Sequence, residues 1–318
     1  MNKAGREKHS LLLVRTPFQA WLAQKVLASE GLKSYDLLYF TYNDSDEDRH
    51  YFSQLAETAS SSRYCWAPTR RCDILGHLVF HRQASPWKHR CSYDQVLMAS
   101  INSPVLNALA THHAASALIT FDDGLANIVP DGIYQQDITG WRTRLYRRVL
   151  GAVPLALLKQ RIERHYSIYP GFDNIVDPSR VRPLEAWRRK DSAWSAEEKA
   201  VRYFIGQPFE EVMSVAQIEQ LRQRLKAMKI DFYVRHPRER EILDIGAVPI
   251  EKHGRIAEEA ILQHAQGRPI QLIGWFSTVL FNLVNMVERS TTFLVQAAPE
   301  TQQREAMARK AGCFVEYV

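Results

Sequence analysis

The stretch Ile270-Gln271-Leu272-Ile273-Gly274-Trp275-Phe276-Ser277-Thr278 is typical of a buried strand that ends in a turn and leads into a helix. Short runs rich in Leu, Val, Ile or aromatic residues recur along the chain and alternate with segments of helical spacing. Further strands are predicted at Leu11–Arg15, Asp36–Thr41, Gln95–Ser100, Ala117–Phe121, Val201–Gly206, Ile230–Arg235, Thr292–Gln296 and Phe314–Val318. Helices are predicted at Phe18–Leu27, Val105–His113, Ser214–Met228, Ala257–Ala265, Thr278–Met286 and Thr301–Lys310. This alternation predicts an α/β protein with parallel sheets.

The length of 318 residues predicts two domains, since a single domain usually holds about 100 to 200 residues. The pattern of the first half is repeated in the second, so we expect two Rossmann-like domains whose parallel sheets face a central, ligand-binding cleft. The first domain is expected at residues 1–155, a linker and hinge region at 156–198 and the second domain at 199–318. The charged stretch Arg180–Lys190 is expected to hold the hinge.

The composition excludes several classes of protein. With 46% hydrophobic and 24% charged residues, the chain is neither disordered nor of low complexity. The net charge of +6 permits an anionic ligand or surface, but no nucleic-acid-binding motif is present. No apolar run reaches the roughly 18 residues of a membrane-spanning helix, and the polar residues 1–10 lack a signal-peptide core. The four cysteines form no Cys-x-x-Cys pair. We therefore expect a soluble, cytoplasmic protein with reduced thiols and no nucleic-acid partner.

A basic segment occupies the middle of the chain. Between Arg142 and Arg164 there are seven cations and one acid, Glu163, around the apolar run Val149–Leu158. One interpretation is a helix that lies on the anionic surface of the inner membrane, which would make the protein peripheral. The other is an ordinary core helix with a solvated basic face.

Two candidate segments for binding lie at strand ends in the first half. In Arg15–Gln19, the Thr16 hydroxyl and the Gln19 amide could bind a sugar, although Thr16 could equally be the N-cap of the following helix. In Phe121–Asn127, the side chains of Asp122, Asp123 and Asn127 could bind sugar hydroxyls, and Asp-Gly at Gly124 is also a common turn signal.

Two further segments, in the second half, suit a phosphate. Tyr233–Arg238 delivers His236 between Arg235 and Arg238 at a strand end, where an imidazole could stabilise a departing phosphate. Gly274–Thr278 opens a helix with the hydroxyls of Ser277 and Thr278. Because no Gly-x-Gly-x-x-Gly or Gly-x-Ser-x-Gly motif is present, NAD chemistry and an α/β-hydrolase are disfavoured. Together these segments predict transfer from a nucleotide-activated donor.

Five motifs, taken in order, resemble bacterial glycosyltransferase family 52, whose best-known members are lipooligosaccharide α-2,3-sialyltransferases. They are Phe121–Gly124 with Asn127, His165–Tyr169, Gly206–Pro208, Tyr233–Arg238 and Phe276–Thr278. The resemblance implies a GT-B-like fold, CMP-sialic acid as donor, a galactose-terminated glycan as acceptor, inversion at the anomeric carbon and no metal or other cofactor. It also makes a homodimer an expectation.

The resemblance assigns roles to particular residues. His236 would support the leaving phosphate, and Ser277 and Thr278 would bind the donor phosphate. The remaining donor-binding residues would be Gly206, Gln207, Pro208, Arg235, Arg238, Phe276 and Glu251. Glu251 would hold the ribose, with Glu258 as its competitor.

The catalytic base is where this chain departs from the family pattern. An Asp is expected directly after the Gly-x-Pro segment, but Phe209 stands there and Glu210 and Glu211 follow. We favour Glu211 over Glu210 as the base, with Asp123 third. The alternatives to a sialyltransferase are a transferase that uses another nucleotide sugar, such as a UDP-hexose, and a homologue that binds a nucleotide or glycan without catalysis.

Overall fold

The computed structural model describes residues 8–67, 74–130, 132–136, 140–187, 199–295 and 300–317. The chain divides into two compact units, Met1–Leu184 and Glu185–Val318. Each unit is an α/β domain built on its own parallel sheet.

The first unit contains a sheet of seven strands. They are β1 His9–Val14, β2 Ser34–Thr41, β3 Ser61–Trp66, β4 Gln95–Met98, β5 Ala117–Phe121, β6 Ile162–Ser167 and β7 Val181–Pro183. Its helices are α1 Pro17–Glu30, α2 Asp46–Ala56, α3 Ile74–Lys88, α4 Pro104–His112, α5 Trp141–Leu150 and α6 Leu155–Arg161. The strand order is β3-β2-β1-β4-β5-β6-β7, and all neighbours are parallel. The order reverses between β1 and β4, which is where doubly wound sheets leave a ligand crevice.

The second unit contains a sheet of six strands. They are β8 Val201–Ile205, β9 Phe232–Val234, β10 Val248–Pro249, β11 Ile270–Trp275, β12 Arg289–Leu294 and β13 Phe314–Tyr317. Its helices are α7 Val215–Met228, α8 Ala257–Ala265, α9 Thr278–Asn282 and α10 Thr301–Ala311. The order is β10-β9-β8-β11-β12-β13, again all parallel, so the switch point lies between β8 and β11.

Local chemistry explains how the first strand and helix meet. Leu11 to Val14 are fully buried, as expected of a central parallel strand covered on both faces. Thr16 Oγ1 then accepts a hydrogen bond from Gln19 N, and Pro17 occupies the first turn of α1. The helix stops at Gly31, whose φ of 64° is left-handed. Thr16 is therefore the N-cap of α1.

The predicted boundary at residue 155 is wrong. The helix α6 and the strands β6 and β7 belong to the first unit, because β6 pairs with β5 and β7 pairs with β6 in the same sheet. The unit consequently extends to Leu184, and most of the predicted linker is structured. Part of the predicted hinge Arg180–Lys190 lies at β7, while residues 188–190 lie outside the described residues. The same holds for Gln296 and Val318, the predicted ends of two strands.

The α/β class and the two parallel sheets are confirmed. None of the helices in the described part of the chain combines the length and apolar character that a membrane span requires.

Candidate functional site

The strand order of the second unit brings three predicted segments to one edge of its sheet. The central strand β8 pairs with β9 on one side and with β11 on the other, all parallel. Their carboxyl ends lead into Gly206–Pro208, Arg235–Arg238 and Phe276–Thr278 respectively. This edge flanks the switch point between β8 and β11, the usual ligand position in such sheets.

Gly206 is required by close packing. A Cβ at this position would lie 2.5 Å from Glu239 Oε2 and 2.5 Å from Tyr233 Cε1. Glu239 is only 3% exposed, and its carboxylate accepts hydrogen bonds from the Tyr233 hydroxyl and from His236 N. Burial raises the pKa of the Glu239 carboxyl, and the negative charge of Glu210 adds to the rise. Through these hydrogen bonds Glu239 holds the loop that carries His236 close to Gly206.

His236 is a neutral hydrogen-bond donor in this arrangement. Arg238 N donates to His236 Nδ1 at 3.0 Å, so the proton of the neutral ring is on Nε2. Burial, together with the charges of Arg238 and Lys252, lowers the pKa of the His236 imidazole to about 4. At neutral pH its Nε2–H can donate to an anion, while the surrounding cations supply the positive charge.

The two candidate bases are in different environments. Glu211 is ion-paired with Arg238, whose Nη1 lies 3.2 and 2.9 Å from Oε1 and Oε2. Glu210 is exposed on the same 3-10 turn, Phe209–Glu211, and has no ion pair or hydrogen bond among the described residues. Both carboxylates are therefore within one turn of the edge that carries His236.

Phe209 belongs to the hydrophobic core. It is 4% exposed, and its ring stacks on Phe204 with centroids 5.9 Å apart. The side chain that stands in place of the expected acid therefore points into the protein and belongs to the core of the second unit.

The arginine next to His236 has a structural role. Arg235 Nη2 donates to the backbone oxygens of Glu239 and Arg240, which closes the loop after β9. Gln207 and Pro208 follow β8, the strand that pairs with β9. Gln207 Nε2 is buried and has no hydrogen-bond partner among the described residues. Buried donors without partners are rare, so this amide is a candidate donor to a ligand or water.

The Phe276–Thr278 segment differs from its prediction in one respect. The helix α9 that follows it ends at Asn282 rather than Met286. Ser277 is the N-cap residue, but its hydroxyl makes no capping hydrogen bond and has no partner among the described residues. The Phe276 ring contacts Phe281, with centroids 5.0 Å apart, and Arg304 lies over its face. Ser277 thus offers a hydroxyl that local structure does not use.

The two candidates for the ribose differ in burial. Glu251 is exposed just after β10. Glu258 is in the first turn of α8, is 3% exposed, and accepts a hydrogen bond from Asn282 Nδ2 at 2.7 Å. Burial raises the pKa of the Glu258 carboxyl. Because Asn282 is one turn beyond Thr278 on α9, Glu258 is fixed beside the Ser277 segment.

The first unit also collects predicted residues at the carboxyl edge of its sheet. Gln19 Nε2 donates to Ser100 Oγ at 2.8 Å and to Asp123 Oδ1 at 2.6 Å. Asp123 Oδ2 accepts from Ser100 Oγ at 3.1 Å and from the Tyr134 hydroxyl at 2.6 Å. Burial and the negative charge of Asp123 raise the pKa of Tyr134 well above its usual range. Asp123 is therefore the centre of a hydrogen-bond network and is poorly suited to act as a base.

Asp122 and Asn127 are fully buried, which corrects their prediction as sugar ligands. Asp122 Oδ1 lies 3.0 Å from His165 Nε2, and its Oδ2 accepts from Ile168 N at 2.7 Å. Asn127 Oδ1 accepts from Asp123 N at 2.6 Å. Gly124 has a left-handed φ of 59°, as the turn signal predicted. Asp122 joins β5 to β6, and Gln19, also fully buried, joins α1 to β4 and β5.

Sequence reasoning missed three residues of these edges: Ser100, Tyr134 and Glu239. Ser100 was predicted only as the end of a strand, and nothing in the sequence around Tyr134 links it to Asp123. Glu239 directly follows the segment Tyr233–Arg238, so an acid adjacent to a His-Pro-Arg sequence was the available signal.

One group of side chains could hold a metal among the described residues. The ligand atoms of His9, Asp36 and Cys91 lie within 4.8 Å of one another. Asp36 Oδ2 already accepts from Arg90 Nε at 3.1 Å and from the Tyr93 hydroxyl at 2.8 Å, so a guanidinium occupies the place of a cation. The group is near the amino ends of β1 and β2, and none of its members is a predicted site residue.

Two relatives match the chain over most of its length. A CMP-N-acetylneuraminate:beta-galactoside alpha-2,3-sialyltransferase of Pasteurella multocida (strain Pm70) is 28% identical over 282 residues, 87% of this chain and 87% of that protein. An N-acetyllactosaminide alpha-2,3-sialyltransferase of Haemophilus influenzae (strain ATCC 51907 / DSM 11121 / KW20 / Rd) is 28% identical over 301 residues, 92% of this chain and 94% of that protein.

Comparison with solved structures establishes the fold. The crystal structure of the glycosyltransferase SnogD from Streptomyces nogalater superimposes with a TM-score of 0.51 at 12% identity, covering 98% of this chain and 87% of that one. The fold is GT-B, as the sequence resemblance predicted. The family model described as Glycosyltransferase family 52 matches residues 39–297. This chain therefore belongs to glycosyltransferase family 52 and is a glycosyltransferase.

Proposed function

We propose that the chain transfers sialic acid from CMP-sialic acid to the terminal galactose of a lipooligosaccharide or related glycan, in α-2,3 linkage and with inversion. The names of the Pasteurella and Haemophilus relatives support the donor and the linkage. The observation that carries the proposal is the edge of the second sheet, where His236 follows β9, Ser277 follows β11, and Glu210 and Glu211 follow β8, the strand between these two. Donors for a leaving phosphate and acids for an attacking hydroxyl are thus carried by one edge.

The reaction is a direct displacement. The base removes the proton of a galactose hydroxyl, whose oxygen forms a bond to the anomeric carbon of the sialic acid. The bond from that carbon to the phosphate oxygen of CMP breaks, and its electron pair stays on the phosphate. His236 Nε2–H and the Ser277 and Thr278 hydroxyls then bind the negative charge that develops there. CMP leaves as the anion, and the base holds the proton.

Glu211 remains the favoured base, with a condition set by its ion pair. While Arg238 Nη1 donates to both oxygens of Glu211, these oxygens are engaged and are not available to the acceptor hydroxyl. The donor phosphate is a competing partner for the Arg238 guanidinium, since arginine forms charge-assisted hydrogen bonds with phosphate as well as with carboxylate. Donor binding would then free Glu211 for the acceptor hydroxyl. Glu210 needs no such release and is the alternative.

Recognition of the substrates is divided between the units. In the second unit, Glu251 remains the proposed ribose ligand, because its side chain is exposed after β10, whereas Glu258 is 3% exposed and accepts a hydrogen bond from Asn282. In the first unit, the carboxyl edge around Thr16 and Asp123 is assigned to the acceptor. The proposed enzyme needs no metal and acts in the cytoplasm on a lipid-linked glycan.

Release of CMP from CMP-N-acetylneuraminic acid tests the proposal, measured in EDTA with and without lactose. Release that lactose stimulates is the expected result and supports a metal-independent sialyltransferase. Release that appears only after a divalent metal replaces EDTA would contradict metal independence. Linkage is read from the product by nuclear magnetic resonance, and α-2,3-sialyllactose is expected.

A thermal-shift assay separates this proposal from its rivals. CMP should raise the melting temperature, because a ligand that binds only the folded state stabilises it by RT ln(1 + [L]/Kd). A rise with UDP and not with CMP would point to another nucleotide sugar. A rise with CMP but no turnover on any galactose-terminated acceptor would point to a binding protein without catalysis.

A further inference from the structure

The helix α5 exposes an apolar stripe to solvent. Trp141, Leu145 and Val149 are 66%, 55% and 75% exposed, and they follow one another at intervals of four residues. Residues at this spacing lie along one face of a helix. The opposite face carries the buried Arg147 and Leu150, and Leu150 packs into the core of the first unit. The helix is therefore attached to the protein by one face and presents a hydrophobic stripe on the other.

Arginines flank this stripe. At 100° per residue, Arg144 and Arg148 lie on one side of it and Arg142 on the other. All three are exposed, and the Arg142 guanidinium lies over the Trp141 ring. The guanidinium groups of Arg144 and Arg148 have no ion pair or hydrogen bond to any residue that the structure describes. No acidic residue occurs between Asp137 and Glu163. We call the six residues Trp141, Arg142, Arg144, Leu145, Arg148 and Val149 the α5 face.

Three other cations of the basic segment, Arg147, Arg161 and Arg164, form contacts inside the first unit. Arg147 Nη1 donates to Asn102 O, and Arg161 Nη1 donates to Ala110 O. Arg164 pairs with Glu30 at 3.0 Å. The sequence expectation that the whole segment from Arg142 to Arg164 would contact a membrane is thus narrowed to α5, where cations and apolar side chains share one exposed surface.

We infer that the α5 face docks on a membrane surface rich in anionic phospholipid. Trp141, Leu145 and Val149 would enter the boundary between headgroups and acyl chains, while the three arginines bind lipid phosphates. The positive charge of the α5 face favours an anionic membrane over a second copy of the chain. A second copy packed about a two-fold axis would bring unpaired arginines against each other, with no acid to compensate them. The α5 face contains no predicted site residue.

Vesicle co-sedimentation tests the inference on the full chain. Vesicles of phosphatidylcholine with about one-third phosphatidylglycerol should bind the protein at 0.1 M salt, and vesicles of phosphatidylcholine alone should bind much less. At 1 M salt, where the Debye length falls to about 3 Å, binding should weaken strongly. Binding that is equal on both lipids, or unchanged at high salt, would overturn the inference.

Two variants separate the charged and apolar parts of the α5 face. Arg144→Gln with Arg148→Gln should lower the partition coefficient on anionic vesicles by roughly 30-fold. Trp141→Ser, Leu145→Ser and Val149→Ser together should lower it at least about tenfold. The matched controls are Lys8→Gln with Lys33→Gln, two exposed cations elsewhere in the first unit, and Val248→Ser, an exposed apolar residue in the second. Controls that lose binding as strongly as the α5 variants would contradict the assignment.

Trp141 provides an independent readout. Lipids brominated in the acyl chains should quench part of the tryptophan fluorescence, and Trp141→Phe should lose that quenching while binding persists. Quenching that is unchanged in Trp141→Phe would show that another tryptophan meets the lipid. Sedimentation velocity tests whether a second copy of the chain binds the α5 face instead. Self-association of the wild type that the triple serine variant abolishes would assign the face to a second copy and overturn the inference. CMP release with lactose should be equal in all these variants. The vesicle-binding result does not depend on that activity, so failure of the proposed function and failure of this inference can be distinguished.

Discussion

Arg238 Nη1 lies within hydrogen-bond distance of both carboxylate oxygens of Glu211, at 3.2 and 2.9 Å. The same Arg238 donates its backbone N–H to His236 Nδ1. One residue thus determines which nitrogen of the imidazole carries the proton and also pairs with Glu211, the favoured candidate base. Both side chains of the ion pair are about half exposed, so its contribution to stability is small and a ligand can exchange it.

The two glutamates can be separated by isosteric substitution. Glu211→Gln should lower kcat for sialyl transfer by on the order of 100- to 10,000-fold, because the amide cannot accept the acceptor proton. Glu210→Gln should leave kcat within a few-fold of the wild type. The measurement is initial rates of CMP release at saturating CMP-sialic acid and lactose. Loss of turnover in Glu210→Gln with activity retained in Glu211→Gln would reverse the assignment.

Replacement of His236 by alanine should lower kcat by roughly 100- to 1,000-fold, the usual effect of removing one donor to a developing negative charge. Binding of CMP in a thermal-shift assay checks that the loss is catalytic. A near-normal kcat would remove His236 from the mechanism.

The low pKa of His236 gives a pH prediction with a definite sign. Because burial, Arg238 and Lys252 lower the pKa of the ring to about 4, the free enzyme keeps the neutral imidazole throughout the range above pH 5.5. The profile of kcat/KM should therefore show no inflection from this residue between pH 5.5 and 8. An inflection near pH 6.5 that disappears in His236→Ala would show that the ring titrates normally.

Gly206→Ala should destabilise the second unit and impair catalysis together. The added Cβ meets Glu239 and Tyr233 at 2.5 Å, and overpacking of this kind costs about 1–3 kcal/mol. The free energy of unfolding in urea and kcat should both fall. Gly246→Ala is the control, since its φ of 76° also strains alanine but no atom lies within 4 Å of the new Cβ. This control should lose stability and keep its kcat.

Asp122→Ala distinguishes a buried structural hydrogen-bond acceptor from a ligand of the acceptor sugar. The substitution leaves the His165 ring and Ile168 N without their acceptors, so the free energy of unfolding should fall by on the order of 3 kcal/mol. Because Asp122 is fully buried, the KM for lactose in the folded fraction should change little. A raised KM at unchanged stability would restore Asp122 to the acceptor site.

A histidine at the end of α4 makes the first unit sensitive to acid. Burial and the neighbouring His112 lower the pKa of His113, with a smaller effect of His89 in the same direction, so the folded state keeps this ring neutral. The unfolded chain takes up the proton near pH 6.5, so stability is present above that pH and falls as the pH drops below it. The urea midpoint should therefore decrease from pH 7.5 to pH 5.5. His113→Gln should show a shallower decrease, and an equal slope would assign the acid sensitivity elsewhere.

The sequence predicted the central strands well because their residues are apolar throughout. The predicted strand Leu11–Arg15 corresponds to β1, and Ile270–Trp275 is identical to β11. The strands β3 and β6 were not predicted, because their residues are not apolar throughout. β3 lies at the edge of the sheet with three of its six side chains exposed, and β6 includes the polar sequence Glu163-Arg164-His165. Their pairing partners are distant in sequence, so no local pattern identifies them as strands.

The candidate site of the second unit was predictable to the level of segments. Short sequences such as Tyr233–Arg238 place chemistry at strand ends, and parallel topology brings strand ends together. The contacts within each segment were not predictable. Whether an acid is exposed like Glu210, paired like Glu211 or buried like Glu239 depends on where the chain turns after β8 and β9. In the first unit this uncertainty reversed the interpretation of Asp122.

The burial of Phe209 restricts which side chains the loop after β8 can accept at this position. Its ring is stacked on Phe204 inside the core, so an aspartate introduced at position 209 would bring a charge into an apolar environment. Phe209→Asp should therefore lower the stability of the second unit rather than supply a base at this position. If the base comes from this loop, it has to come from a side chain that reaches solvent, as the side chains of Glu210 and Glu211 do.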